Sequence, residues 1–181
     1  MNYRNVVAAV VRALAAETIN SAGGCNFEPK VQCAKQKGEI VGKEAAFLVD
    51  CMVFSRLHRN LRPEHWRALV AKYSTHDERK HAAIVELIKV VRSPATARFR
   101  ECAVLTWAIP QVAGMTGKRT TAVLPAAWYD ITNWDNDGKP ESTRYRWRSN
   151  IRKALDDQVN EALTAAQELL DSEGLIESCA A

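Results

Sequence analysis

The stretch STRYRWRSNIRKAL, residues 142–155, is the part of the chain that decides how the rest is interpreted. Its five basic side chains, with no acidic one among them, are Arg144, Arg146, Arg148, Arg152 and Lys153. Neither Pro nor Gly occurs from this stretch to Gly174, and Ser142 or Thr143 is suited to cap the start of a helix. We therefore predict one long helix that begins at Ser142 or Thr143 and ends near Gly174.

This predicted helix has two unlike sides. At 3.6 residues per turn, Trp147, Ile151 and Leu155 lie above one another and form an apolar side suited to burial. The opposite side carries Tyr145, Arg146, Ser149, Arg152 and Lys153, with Arg148 at its flank. An apolar inner side with a basic, hydrogen-bonding outer side is what the major groove of DNA accepts.

A merely solvated face is the alternative for any run of basic residues. Here the polar side mixes Arg with Tyr, Ser and Asn, and it lacks the alternating Glu and Lys of a helix that is only solvated. This composition favours DNA binding. The predicted DNA-contacting residues are Arg144, Tyr145, Arg146, Arg148, Ser149, Arg152 and Lys153.

Working outward, the composition predicts a compact all-α protein of several helices. Of the 181 residues, 47% are hydrophobic, and Gly and Pro together number only 14, so the chain can build a core. Apolar residues at helical spacing predict helices over 3–19, 43–57, after Pro63, after a cap at Asp77, and from Pro94 to Pro110. We expect an N-terminal helical segment, 1–57, followed by a helical region, 58–181, that binds DNA or RNA polymerase.

The residues just before the basic helix predict a helix-turn-helix-like unit at about 124–155. LPAAWYDITNWD, residues 124–135, predicts a short helix with Leu124, Trp128 and Ile131 inside, and the NDGK that follows indicates a turn. Short helix, turn and basic helix is the order of that motif, although this turn exceeds the usual three or four residues. The apolar wedge between the two helices is expected to consist of Trp128, Trp134 and Trp147.

The net charge of +4 is spread unevenly. Residues 139–153 carry six basic side chains and one acidic one, whereas residues 154–181 carry seven acidic and no basic ones. The basic part suits phosphates, and the acidic part repels them and orients the molecule. We expect the acidic C-terminal helix to dock on the N-terminal helices or on a protein partner. Further candidate contacts to nucleic acid or polymerase are Arg62, His65, Arg67, Lys118 and Arg119.

The sequence contains no pattern typical of an enzyme or a metalloprotein. None of the four histidines belongs to an HExxH or nucleophile motif, and Cys25 and Cys33 lack two further ligands at zinc spacing. We therefore predict no catalytic residue, metal or cofactor. The five cysteines, an odd number without a CxxC pair, predict reduced thiols and a cytoplasmic location, and no apolar run approaches the roughly 20 residues that span a bilayer.

The chain resembles the Q-type transcription antitermination proteins of phages, including the Q-like lysis activators. The resemblance covers most of residues 57–170 and lies in LRPEHWRALVAKYS, TWAIPQVAG, LPAAWYDITNWD and STRYRWRSNIRKALDDQVNEAL. The order of these segments is more specific than any single one. Some Q proteins carry a four-cysteine zinc ribbon, which this sequence lacks, so the resemblance is to a metal-free branch.

The resemblance implies a function that consists of binding. The expected partners are a double-stranded DNA element near a promoter, RNA polymerase holoenzyme (core plus sigma) held at a promoter-proximal pause, and nascent RNA. The expected outcome is that the polymerase reads through terminators of late or lysis genes. Two alternatives stay open: a conventional helix-turn-helix activator or repressor, and a helical interaction module whose basic face meets an acidic protein.

Overall fold

Six α-helices make up most of the chain that the computed structural model describes, namely residues 3–21, 43–111, 124–135 and 138–176. The helices are α1 (Val6–Ser21), α2 (Lys43–Asn60), α3 (Pro63–Tyr73), α4 (Asp77–Val90), α5 (Ala97–Ala108) and α6 (Glu141–Ser172). Two single 3₁₀ turns, Ala126–Trp128 and Ile131–Asn133, precede α6. The prediction of an all-α protein is confirmed.

Helix α6 is the central element of the core. The buried side chains on its inner face follow one another at helical spacing: Ile151, Leu155, Val159, Ala162, Ala166 and Leu170. This face packs against α1, α2, α3 and α5, and α3 packs in turn against α4. The acidic half of α6 therefore docks on the N-terminal helices, which is one of the two arrangements expected from the sequence.

The two ends of the described chain are tied to each other and to α2. The backbone N–H of Tyr3 donates to the carbonyl of Leu175 at 2.8 Å. The Tyr3 hydroxyl donates to Oδ1 of buried Asp50 at 2.6 Å, and Arg12 donates to Oδ2 at 3.0 Å. Gly174, with φ +66°, ends α6 in the left-handed conformation that glycine adopts without strain.

Several predicted boundaries shift. α6 begins at Glu141 after Pro140, so neither Ser142 nor Thr143 caps it, and Glu141 interacts favourably with the positive end of the helix dipole. α4 is capped by His76, whose Nδ1 accepts from the Arg79 backbone N–H at 3.5 Å, and not by Asp77. The domain boundary expected after residue 57 falls inside α2, and one continuous core includes residues on both sides of it.

The helix-turn-helix-like unit predicted at 124–155 lacks its first α-helix. The Asp130 carboxylate accepts hydrogen bonds from the backbone N–H and the hydroxyl of Thr132, at 3.0 and 2.7 Å. Such local bonds compete with helix formation. A helix, a three-residue turn and a second helix do occur, but at α3 and α4, which residues 74–76 connect.

Candidate nucleic-acid interface

The outer side of the first half of α6 is exposed, as predicted. Tyr145 is 50% exposed, and Arg146, Ser149, Arg152 and Lys153 are exposed on the same side, joined to one another by steps of three or four residues. We call these five residues the basic face. With a rise of 1.5 Å per residue they extend over about 12 Å of one helix side.

Arg144 and Arg148 lie on the opposite side of α6, the side that also carries the buried Ile151 and Leu155. Nη2 of Arg144 donates to the backbone carbonyl of Asp135 at 3.1 Å. The guanidinium carbon of Arg148 lies 5.4 Å from the centroid of the Trp134 ring. The structure therefore places these two arginines in contacts that attach α6 to the preceding segment, away from the basic face.

An aromatic cluster supports α6 from beneath. The Phe99 ring meets Trp134 and Trp147 edge to face, with centroids 5.2 and 5.7 Å apart. Nε1 of Trp134 donates to the backbone carbonyl of Trp128 at 2.7 Å. The side chain of Trp128 itself is 40% exposed, so its predicted place in the apolar wedge is wrong, and Phe99 of α5 is the wedge residue that sequence reasoning missed.

The charges along α6 divide it into a basic first half and an acidic second half. A helix is stabilised by acids in its first turn and bases in its last. Only Glu141 follows this preference; the following half is basic, and the last turn contains Asp171 and no base. The dipole acts only within the first and last turns, so it does not account for the basic side chains at positions 146–153.

Asp156 marks the boundary between the basic and acidic halves of α6. Its Oδ1 accepts a hydrogen bond from Nε1 of Trp107 at 2.7 Å and lies 3.7 Å from Nζ of Lys72. Its Oδ2 lies 3.6 Å from Nε of Arg152. Arg152 is thus partly neutralised, whereas Arg146 and Lys153 form no ion pair within the described chain.

The second set of predicted contacts does not form one surface. His65 is only 12% exposed, and its Nε2 lies 3.8 Å from a Glu161 carboxylate oxygen, so it faces α6 and its predicted outer position is wrong. Arg62 is 76% exposed and 4.0 Å from Glu64. Arg67 instead lines a groove between α2, α3 and α4. Lys118 and Arg119 lie outside the described residues.

Two residues near the basic face were absent from the predicted set. Asn150 is exposed four residues after Arg146, which places both on the same side of α6. Lys139 is exposed just before the helix begins. Helical spacing from Arg146 was a sufficient signal for Asn150, whose amide is able to make paired hydrogen bonds to adenine.

α3 and α4 are less suited to DNA despite their three-residue connection. The exposed surface of α4 combines Asp77 and Glu78 with Arg79 and Lys89, so it has no excess of positive charge. A duplex requires cations to replace its counterions. The basic face of α6 is the better candidate.

Across the described ranges, no three His, Cys, Asp or Glu side chains come together as a metal site requires. No helix there is both long enough and apolar enough to cross a membrane. Comparisons of the chain with protein-family models, curated proteins and solved structures return no match.

Proposed function

We propose that the protein is a DNA-binding transcription antitermination factor. It loads onto RNA polymerase paused near a promoter and causes readthrough of terminators of late or lysis genes. The observation that supports this proposal most strongly is the basic face, exposed on a helix that is held from behind by aromatic and aliphatic packing. The resemblance to Q-type proteins supplies the step after DNA binding.

The basic face suits the major groove, which is about 12 Å wide and accepts an α-helix. Arg146 and Arg152 are able to make paired hydrogen bonds to guanine, and Lys153 neutralises a phosphate. If all three cations of the basic face contact phosphates, the salt slope of binding is roughly −3, far shallower than that of a dedicated repressor. Such weak binding fits a protein that also contacts polymerase, because a second contact raises the effective concentration at the DNA.

The acidic half of α6 supplies a surface for that second contact. Its exposed acids include Asp157, Glu161, Glu168 and Asp171. From the rise per residue, Glu168 lies about 33 Å along the helix axis from Arg146 of the basic face. One rigid helix therefore presents a DNA-binding end and an end that repels DNA and attracts a basic protein surface.

The test is transcription in vitro by purified polymerase through a strong intrinsic terminator, on a template with the cognate promoter region. We expect readthrough to increase with the wild-type protein and to return to the basal level with Arg146→Ala/Lys153→Ala or a scrambled promoter-proximal element. Arg92→Ala, which removes an exposed arginine between α4 and α5, is the matched control and retains readthrough.

Other outcomes select the alternatives. Altered initiation with unchanged readthrough identifies a conventional DNA-binding regulator. No DNA binding at any salt concentration identifies a protein-interaction module, whose basic face then meets an acidic protein.

A further inference from the structure

The two carboxylate oxygens of Asp156 have different partners. Oδ1 accepts a hydrogen bond at 2.7 Å from Nε1 of Trp107, a buried residue of α5, and lies 3.7 Å from Nζ of Lys72. Because a buried indole holds Oδ1, the orientation of the whole carboxylate is restricted. Its second oxygen, Oδ2, lies 3.6 Å from Nε of Arg152, which is one turn earlier on α6.

This ion pair distinguishes Arg152 from the other cations of the basic face. Arg146 and Lys153 form no ion pair within the described chain, so nothing there restricts the directions of their charged groups. A guanidinium has five N–H donors in one plane, and a carboxylate next to Nε leaves the four donors of Nη1 and Nη2 unoccupied. Those two atoms are able to donate together to O6 and N7 of a guanine. Asp156 therefore restricts Arg152 without occupying the end that reads a base.

We propose that Asp156 is a positioning residue that orients Arg152 to read one guanine in the major groove. This inference rests on the proposed binding of DNA by the basic face, and it names the residue that reads a base and the group that holds it. Trp107 connects this pair to the core, so the direction of the guanidinium is set by the packing of α5 against α6.

The negative charge of Asp156 needs such an explanation. A carboxylate at the edge of a basic surface repels phosphates. The indole of Trp107 requires only an acceptor oxygen, which a neutral amide also supplies. Lys72 has a second contact that needs no carboxylate, since its Nζ lies 4.5 Å from the centroid of the Trp107 ring. Half-exposed ion pairs contribute little to stability. Orienting a guanidinium is the task that uses the charge.

The first measurement is made on the free protein, by NMR of the arginine Nε–H groups. Asp156→Asn keeps an acceptor oxygen for Trp107 and turns an NH₂ group toward Nε of Arg152. We expect the Nε–H signal of Arg152 to shift and to exchange faster with water in this variant, while the indole signal of Trp107 stays in place. An Arg152 signal that is the same in both proteins overturns the orienting contact.

The second measurement is selection of binding sites from a randomised DNA duplex. We expect wild type to enrich a site containing a guanine whose preference Arg152→Ala reduces by about tenfold. Asp156→Asn is expected to reduce the same preference by about threefold and no other, although the loss of a negative charge strengthens binding to every sequence. Glu101→Gln, which removes an exposed carboxylate of α5, is the matched control and retains the preference.

A purely structural role of Asp156 weakens binding to all sequences equally, and that result overturns the proposal. So does a guanine preference that Asp156→Asn leaves at the wild-type value. In both cases the proposed DNA binding stands, because wild type still enriches a site. Enrichment of no sequence by wild type overturns the proposed DNA binding and this inference together, so the two failures are distinguishable.

Discussion

The guanidinium carbon of Arg148 lies 5.4 Å from the centroid of the Trp134 ring, and Trp134 is only 1% exposed. This contact holds the basic first half of α6 against the segment with the two 3₁₀ turns that precedes it. Arg148 therefore belongs to the packing of α6, and the residues that remain on the outside define the surface offered to a partner.

The first prediction concerns the basic face. Replacing both Arg146 and Lys153 with Ala is expected to make the salt slope of DNA binding shallower by about 2, since each phosphate contact contributes about 1. If Arg146 also reads a base, specific binding weakens by about 1–3 kcal/mol and sequence preference relaxes at one position. Titrations at several salt concentrations measure both effects, with Arg92→Ala as the control. An unchanged slope places DNA elsewhere on the molecule.

The second prediction concerns Arg148. Its replacement with Ala is expected to lower the free energy of unfolding by about 1 kcal/mol through loss of the cation–π contact, and to leave the salt slope of DNA binding unchanged. Urea unfolding and the same DNA titrations measure the two quantities. The opposite pattern, a shallower slope at unchanged stability, shows that Arg148 leaves Trp134 to contact DNA.

The third prediction contrasts two tryptophans six residues apart. Trp134→Ala removes a buried ring next to Phe99 and is expected to cost about 3–5 kcal/mol of unfolding free energy. Trp128→Ala removes a partly exposed ring and retains the backbone carbonyl that accepts from Trp134, so its cost is expected to be below about 1 kcal/mol. Thermal or urea unfolding measures both. Equal costs contradict the placement of Trp128 at the surface.

The fourth prediction concerns Tyr3 and alkaline pH. Burial, followed by the hydrogen bond to Asp50, raises the pKa of the Tyr3 phenol above its usual value. The unfolded chain releases this proton near pH 10 while the folded protein keeps it, so stability is unaffected well below pH 10 and falls as pH rises above it. The slope from this group is at most about 1.4 kcal/mol per pH unit.

Urea unfolding of wild type and Tyr3→Phe between pH 8 and pH 11 measures this contribution. The variant is expected to be less stable at pH 8, because Asp50 loses a hydrogen bond, and to decline less steeply above pH 10. Burial also raises the pKa of Tyr73, so Tyr73→Phe measures how much of the loss of stability above pH 10 comes from that second phenol. Identical slopes for wild type and Tyr3→Phe would contradict a buried Tyr3 phenol.

The fifth prediction concerns Asp156. Asp156→Ala leaves the indole N–H of buried Trp107 without its acceptor and is expected to cost about 1–3 kcal/mol. Asp156→Asn keeps an acceptor oxygen and loses only the weak ion pairs with Lys72 and Arg152, so its cost is expected to be under about 1 kcal/mol. Asp157→Ala, at the adjacent exposed position, is the control in the same urea unfolding series. A large effect of Asp156→Asn would mean that charge, and not the hydrogen bond, stabilises this contact.

Helical spacing predicted most of the fold because it is a local property. Pro63 marks the start of α3, and Ile151 and Leu155 lie on the buried side of α6, as their spacing indicated. The segment 124–135 departs from prediction for an equally local reason that spacing does not report: the Asp130 carboxylate accepts from the Thr132 N–H and so starts a second, separate 3₁₀ turn at Ile131.

The candidate site divides in the same way. The sequence alone determined which side chains of α6 point outward, because a 3.6-residue repeat assigns Tyr145 and Arg146 to one side whatever packs against the other. Only the tertiary structure decided that Arg148 lies on Trp134 and that His65 faces Glu161. Those contacts join residues far apart in position or in different elements, and they depend on which helices lie side by side. Spacing along one helix determines the direction in which a side chain points, but long-range packing determines which residue it meets there.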